Sequence, residues 1–182
     1  GAIQQQIRQT LGVFQTLNID LIFNLPLQTM SHLVHDLHVI QTIVPDQVTF
    51  YPLMAPPSVT DRLQQLFGPV DYRKEKRFYV TILRHMEGLY TGSSAWCFSR
   101  HPSMIDEYII THDHYIGAGS GAFGCHGDSI TINTFSLEQY RTMIAQGMLP
   151  ITRIKRFTAR ETLYYRFLMR FFGLSLSAAE LQ

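Results

Sequence analysis

Asn18-Ile19-Asp20-Leu21-Ile22-Phe23, followed at once by Asn24-Leu25-Pro26, is the stretch on which the fold turns. It is a short apolar run rich in strand formers, interrupted by one carboxylate and stopped by a turn. Ahead of it, Ile3, Ile7, Leu11 and Phe14 stand at helical spacing, which predicts an amphipathic helix over residues 2–14 with its Gln side in water. Behind it, Leu33, Leu37, Ile40 and Val44 mark one face of a second helix, Met30–Ile43, which Pro45-Asp46 breaks. Val48-Thr49-Phe50-Tyr51 then reads as another strand. Helix, strand, helix, strand with short loops is the alternation of an α/β layer with parallel strands. Both strands are nearly continuous apolar runs, which predicts cover on two faces.

After Pro56-Pro57 the character changes. Ser58 and Asp61 suggest a capped short helix carrying Leu63, Leu66 and Phe67 and ended by Gly68-Pro69. A longer helix is expected from 72 to 89, opening with the charge run Arg73-Lys74-Glu75-Lys76-Arg77, read as a solvated face. Ala95-Trp96-Cys97-Phe98 reads as a strand, and residues 117–132 as glycine-rich turns leading into a hairpin that bends at Gly127-Asp128. Helices are expected over 137–146 and 158–172, with Gly173 as the stop of the last.

The 182 residues are 46% hydrophobic and 16% charged, enough for one full core and too apolar for intrinsic disorder of the whole chain. Fifteen basic against fourteen acidic residues give a net charge of +1, so there is no overall field to hold a nucleic acid or an anionic membrane. No window is apolar for long enough to span a bilayer, and the N-terminus lacks the pattern of a signal peptide. Cys97 and Cys125 are too few for a disulfide-stapled domain; two separate thiols in a reducing cytoplasm are expected. The ending Ser175-Leu176-Ser177-Ala178-Ala179-Glu180 reads as the start of a further element, and a two-strand opening leaves sheet edges to be covered. The expectation is a piece of a larger protein, with pairing of two copies at the open edge as one outcome.

Asp20 stands out as a carboxylate in a strand expected to be covered. Such a group needs donors, either from a neighbouring turn or an Arg, or from the hydroxyls of a ligand such as a ribose. Gly119-Ser120-Gly121-Ala122-Phe123-Gly124 matches GxGxxG literally, but the residues after it promise strand, so a dinucleotide site is rejected. Close backbone approach to a ligand and plain tight turns both remain open there. His112, His114, Cys125, His126 and Asp128 lie near one another in sequence without a zinc spacing, and His32, His35 and His38 fan around a helix, so no metal site is expected. No nucleophile signature is present. Arg153, Lys155, Arg156 and Arg160 form a basic stretch by Phe157, read as a solvated face with an anionic partner such as a propionate as the alternative.

The opening stretch, continued through Leu27-Gln28-Thr29, resembles the NxDLIxGLPxQT segment of the oxygen-independent coproporphyrinogen III oxidase-like family. That family belongs to the radical SAM enzymes and includes haem-chaperone and haem-utilisation relatives. Pro45-Asp46-Gln47-Val48-Thr49-Phe50-Tyr51-Pro52-Leu53 resembles its next barrel strand, and Tyr115 to Gly124 its YLGxGxGAxS turn. Residues 158–173 resemble the helix that leads to its C-terminal domain. Asn24 stands where the family has Gly, and both residue types tolerate a left-handed backbone. Tyr51-Pro52-Leu53 looks more like the chaperone-type branch than the oxidase.

The resemblance implies an α/β fold: the last strands of an incomplete (β/α)6 barrel over residues 1–57, then an α+β extension over 58–182 that stops short of the final C-terminal domain. It also implies a cytoplasmic radical SAM oxidoreductase of tetrapyrrole metabolism as parent protein. There a [4Fe-4S] cluster and S-adenosylmethionine together generate the radical that abstracts hydrogen from a tetrapyrrole side chain. The family's CxxxCxxC cluster motif is absent from this chain, so the polypeptide alone is expected to be inactive. By position, Asp20 falls on the acidic residue that contacts S-adenosylmethionine, Met54 on a backbone contact, and Phe123 on an apolar residue lining the pocket. The alternative is a haem-binding chaperone or carrier, with His112, His114, His126 or Cys125 as axial ligands. A degenerate relative with a structural role is the third reading.

Overall fold

The computed structural model describes residues 1–54, 60–61, 64–66, 71–101 and 112–175. The chain divides into two compact units, Gly1–Asp106 and Glu107–Gln182.

The first unit runs α1 (Ala2–Thr10), β1 (Asn18–Phe23), α2 (Met30–Ile43), β2 (Gln47–Pro52), α3 (Tyr72–Met86), β3 (Thr91–Gly92) and β4 (Cys97–Ser99). Its sheet has the order β1-β2-β4-β3. β1 and β2 are parallel, joined across α2 as expected, with Asp20 in register with Thr49. β4 then runs antiparallel to β2, and β3 to β4. Alternation along each strand sends Ile19, Leu21 and Phe23 of β1, Val48 and Phe50 of β2, and Phe98 of β4 to one side. Leu33, Leu37 and Ile40 of α2 and Phe78, Ile82 and Met86 of α3 meet them there in a single core. Leu37 and Ile82 are wholly buried, and each such side chain contributes about 1.5–3 kcal/mol relative to exposure.

α2 begins where the Thr29 side chain accepts from the His32 amide, and ends at Val44, whose backbone is left-handed at φ 54°. Val44 therefore caps the helix instead of continuing its apolar face. α1 is shorter than expected, stops before Gly12 at φ 75°, and has no buried residue. The break expected between 57 and 58 does not separate the compact units. α3 packs into the same core as α2, and β4 hydrogen-bonds to β2, so both belong to the first unit. Of the short helix expected after Ser58, residues 60–61 and 64–66 are helical; Ser58, Leu63, Phe67, Gly68 and Pro69 lie outside the described residues, as do residues 176–182.

The second unit contains β5 (Phe123–His126), β6 (Ser129–Asn133), α4 (Leu137–Ala145), β7 (Ile151–Arg156) and α5 (Ala159–Phe172). The expected hairpin is there: β5 and β6 pair antiparallel around Gly127-Asp128, with Gly127 at φ 62°. β7 pairs antiparallel with β6, so the basic stretch read as a solvated face is also an edge strand. Thr158 caps α5, and Gly173 ends it at φ −76°; the left-handed residue is Leu174 at φ 54°. No helix among the described residues is long and apolar enough to cross a membrane.

Candidate functional site

The side of the first sheet that faces away from α2 and α3 is polar at the amino ends of β1 and β2 and carries Ile22 and Tyr51 toward their carboxyl ends. It carries Asn18 and Asp20 from β1, Gln47 and Thr49 from β2, and Cys97 and Ser99 from β4. Toward β4 this row is closed by its own hydrogen bonds. Gln47 Nε2 donates to Ser99 Oγ at 2.8 Å, Ser93 and Ser99 share a 3.0 Å hydroxyl contact, and Ser94 Oγ accepts from the Cys97 amide at 3.1 Å. Toward β1 it opens. Thr49 is wholly buried, whereas Asp20 beside it is exposed.

This corrects the expectation that the Asp20 strand is covered on both faces. β1 is the outer strand of its sheet, and its residues alternate between exposed and half-buried until Phe23. Asp20 is no desolvated carboxylate within these residues. It does have a donor: Asn18 Nδ2 donates to Asp20 Oδ1 at 2.8 Å, and Asn18 Oδ1 in turn accepts from Thr49 Oγ1 at 3.4 Å. The arrangement holds one carboxylate oxygen in place on an open polar surface. The contact of Asn18 with Asp20 was not anticipated from the sequence, although their i, i+2 relation in a strand put both on one face.

Met54 follows β2 and is 63% exposed. Phe123 opens β5 in the second unit, 45% exposed. Its glycine turn is built by internal contacts. Asn133, buried, donates from Nδ2 to the carbonyls of Gly117 at 3.0 Å and Gly119 at 2.9 Å, and the Gly121 amide donates to Thr134 O at 2.8 Å. Gly119 and Gly121 take φ values of 110° and 71°. A strand, not a helix, follows, which agrees with rejecting a dinucleotide site.

A cleft of about 340 Å³ opens past the carboxyl ends of β1 and β2, lined by Phe23, Pro52, Tyr79 and Trp96 with Glu75 and Lys76 among them. Ligands of α/β sheets bind outside these strand ends. Tyr79 stacks near Phe23 at 6.4 Å and donates its hydroxyl to Ala95 O; burial raises its pKa. Aromatic spacing alone did not reveal this cleft, because its residues come from four separate elements. Nor is the charge run of α3 only solvated: Glu75 Oε2 accepts from Asn24 Nδ2 at 3.2 Å, and Lys74 Nζ donates to Leu25 O at 2.8 Å.

In the second unit, Cys125 is buried and lies beside Tyr165, whose hydroxyl is 3.1 Å from that of Tyr115. Burial pushes the Cys125 thiol up, partly opposed by the Tyr165 hydrogen bond; Tyr165 is itself raised by burial and by the Tyr115 hydroxyl. The cavity against Cys125 holds about 20 Å³, room for about one water. Cys97 and Cys125 are both free thiols. His112, His114 and His126 are exposed, with the rings of His114 and His126 5.4 Å apart and His114 Nδ1 accepting from the Gly127 amide at 3.1 Å. Among the described residues no three His, Cys, Asp or Glu side chains converge as metal ligands. Arg153, Lys155, Arg156 and Arg160 are exposed; Lys155 pairs with Glu161 at 2.8 Å, and Arg160 lies over the Tyr164 ring.

No protein-family model matches the chain. It is similar to the heme chaperone HemW of Bacillus subtilis (strain 168), 26% identical over 155 residues. The match covers 81% of this chain and 41% of HemW, so the chain spans about two fifths of the length of that curated relative. Among solved structures it is similar to coproporphyrinogen III oxidase (HemN) from Escherichia coli, a radical SAM enzyme. The TM-score is 0.68 with 18% identity, over 94% of this chain and 44% of that one. The sequence resemblance to the oxygen-independent coproporphyrinogen III oxidase-like family is thus met by a haem-related relative and by the radical SAM fold.

Proposed function

We propose that this chain is the later part of a radical SAM barrel, with its extension, from a cytoplasmic protein of tetrapyrrole metabolism, and that Asp20 is a carboxylate for S-adenosylmethionine. The observation that carries the reading is the open polar row on the side of the sheet away from α2 and α3, where Asp20 keeps a carboxylate oxygen clear while Asn18 engages the other. Helices on one side of parallel strands and polar side chains on the other is the division that a β/α barrel makes between its wall and its interior. The likeness to a radical SAM structure supports it.

The residues present fit the nucleoside end of such a ligand and not a cluster. An exposed carboxylate accepts hydrogen bonds from ribose hydroxyls. The two cysteines lie in different compact units, each buried, and form no ligand set for a [4Fe-4S] centre. Asp20 then binds and orients, and Met54 contributes backbone at the strand end; Phe123 belongs to the second unit and is no part of this arrangement. Bound S-adenosylmethionine supplies the radical chemistry of the family; this chain's residues hold it. In the complete protein, Asp20→Ala is expected to weaken S-adenosylmethionine binding by about tenfold or more, read by calorimetry. Unchanged affinity would reject the role.

A haem carrier is the second reading. It is favoured by the exposed, adjacent rings of His114 and His126 and by the chaperone relative. Cys125 is the weaker candidate for an axial ligand, being enclosed beside Tyr165. Titration of the complete protein with haem, followed at the Soret band, should saturate and lose its affinity in His114→Ala or His126→Ala; no saturable band removes this reading.

A further inference from the structure

We infer that Asn18 is the positioning residue for Asp20. Its amide ties down one carboxylate oxygen, so that the group meets a ligand bearing adjacent hydroxyls already oriented. The inference rests on the reading of Asp20 as a ligand carboxylate and adds a residue and a mechanism to it.

Three contacts carry it. Asn18 Nδ2 donates to Asp20 Oδ1 at 2.8 Å. Asn18 Oδ1 faces Thr49 Oγ1 at 3.4 Å, and Thr49 Oγ1 lies 3.7 Å from Cys97 Sγ. Thr49 and Cys97 are almost wholly buried, so the inner end of this chain is fixed by the core while its outer end is the exposed carboxylate. The direction of donation at Asn18 is determined from its outer side. An ionised carboxylate accepts only, so Asn18 must present its NH2 to Asp20 and its carbonyl oxygen to Thr49. The amide therefore has one orientation, not two. The Thr49 hydroxyl is placed to donate to the Asn18 carbonyl oxygen or to Cys97 Sγ.

An exposed Asp on a strand otherwise samples several rotamers, and a ligand that uses it must freeze them. Here the freezing is done before the ligand arrives. Each carboxylate oxygen has two acceptor positions, so Oδ1 retains one and Oδ2 two for neighbouring hydroxyls. A vicinal diol, as in a ribose, is the chemistry that uses both oxygens at once.

The test is a thermodynamic cycle in the complete protein, with S-adenosylmethionine as probe and calorimetry as readout. Asn18→Ala is expected to weaken binding by about 3- to 10-fold. Asn18→Asp keeps the shape, removes the donor and sets a second carboxylate beside the first, and so is expected to weaken it further; it also serves should the alanine variant fail to fold. In an Asp20→Ala background neither substitution should change the remaining affinity, because Asn18 acts through Asp20. Equal losses in both backgrounds, or no loss in either, overturn the inference. If Asp20→Ala alone binds as tightly as the unmodified protein, the ligand role of Asp20 falls, and that result is distinct from failure of the cycle.

Discussion

Asn24 donates its side-chain amide to Glu75 across 51 positions of sequence, Nδ2 to Oε2 at 3.2 Å, from a backbone held left-handed at φ 64°. Asn24 is the residue just after β1, and Glu75 lies in the first turn of α3. The contact joins the turn below the candidate site to the helix that walls the aromatic cleft. Lys74 reinforces it by donating to the Leu25 carbonyl from the preceding residue of the same helix.

Asn24 therefore has two roles, one of backbone and one of side chain, and substitutions separate them. Asn24→Gly keeps the left-handed turn and loses the hydrogen bond, at a cost of about 1 kcal/mol. Asn24→Ala loses both, at about 2–3 kcal/mol. Urea unfolding of the two variants beside the unmodified protein gives the order. A glycine variant as damaged as the alanine variant would show that the backbone conformation is not what matters.

Gly117 shapes the turn in front of Phe123 in a different way. Its φ is unremarkable, but a Cβ there would be driven into the backbone carbonyl of Phe123, which has no rotamer by which to withdraw. Gly117→Ala should cost about 1–3 kcal/mol and displace the start of β5. Gly127 in the hairpin bend offers the contrast: a Cβ there meets nothing within 4 Å, and the difficulty is φ 62° alone. Thermal unfolding combined with amide exchange at Phe123 distinguishes the two, since only the Gly117 variant should expose the β5 pairing.

How far the sequence was legible follows the same physics. The order β1-α2-β2 could be read because Leu33, Leu37 and Ile40 repeat at helical spacing between two runs of strand formers. The hairpin was marked by Gly127-Asp128. β7 was not read as a strand, because Ile151-Thr152-Arg153-Ile154-Lys155-Arg156 has its two Ile three apart and covers no core; its pairing with β6 comes from backbone groups, which leave no side-chain pattern. The burial of Asp20 was misjudged for a related reason. An apolar run shows that a strand has a buried face, but which strands flank it, and so which of Asp20 and Thr49 is covered, depends on partners distant in sequence. The cleft by Trp96 lay beyond reach on the same ground.

Tyr90 is the buried end of the loop after α3, with its hydroxyl donating to Pro45 O at 2.9 Å. Burial, with a smaller contribution from Asp46 against that of Arg100, pushes it up to about 12. A phenol harder to ionise folded than unfolded favours the folded state below the ordinary value of 10. That contribution is lost as pH rises from 10 to about 12, because the unfolded chain releases the proton first. Tyr90→Phe should cost about 1 kcal/mol at neutral pH, through the unpaired Pro45 carbonyl. It should also flatten the alkaline fall in stability. Unfolding curves at stepped pH for both proteins test this, and parallel alkaline slopes would assign the loss to other groups.

Glu161 sets the opposite limb. Its Oε1 accepts from Lys155 Nζ at 2.8 Å, and its Oε2 from the Thr158 amide at 2.8 Å and hydroxyl at 3.1 Å, while the Glu161 amide donates back to Thr158 Oγ1 at 3.3 Å. This reciprocal cap starts α5 and ties it to β7. Lys155 first, then Thr158, holds the carboxyl down to about 2 from 4.5. A carboxyl depressed in the folded state contributes stability that is present above pH 4.5 and is lost as pH falls toward 2, since the unfolded chain takes up the proton first. Lys155→Met should therefore shrink the acid-dependent loss and move its lower end upward, while Thr158→Ala should cost about 1 kcal/mol even at neutral pH by removing the cap. Acid titrations followed by helical circular dichroism separate these effects. If Lys155→Met leaves the acid profile where it was, the pair is screened by water to the point of irrelevance and the cap alone starts the helix.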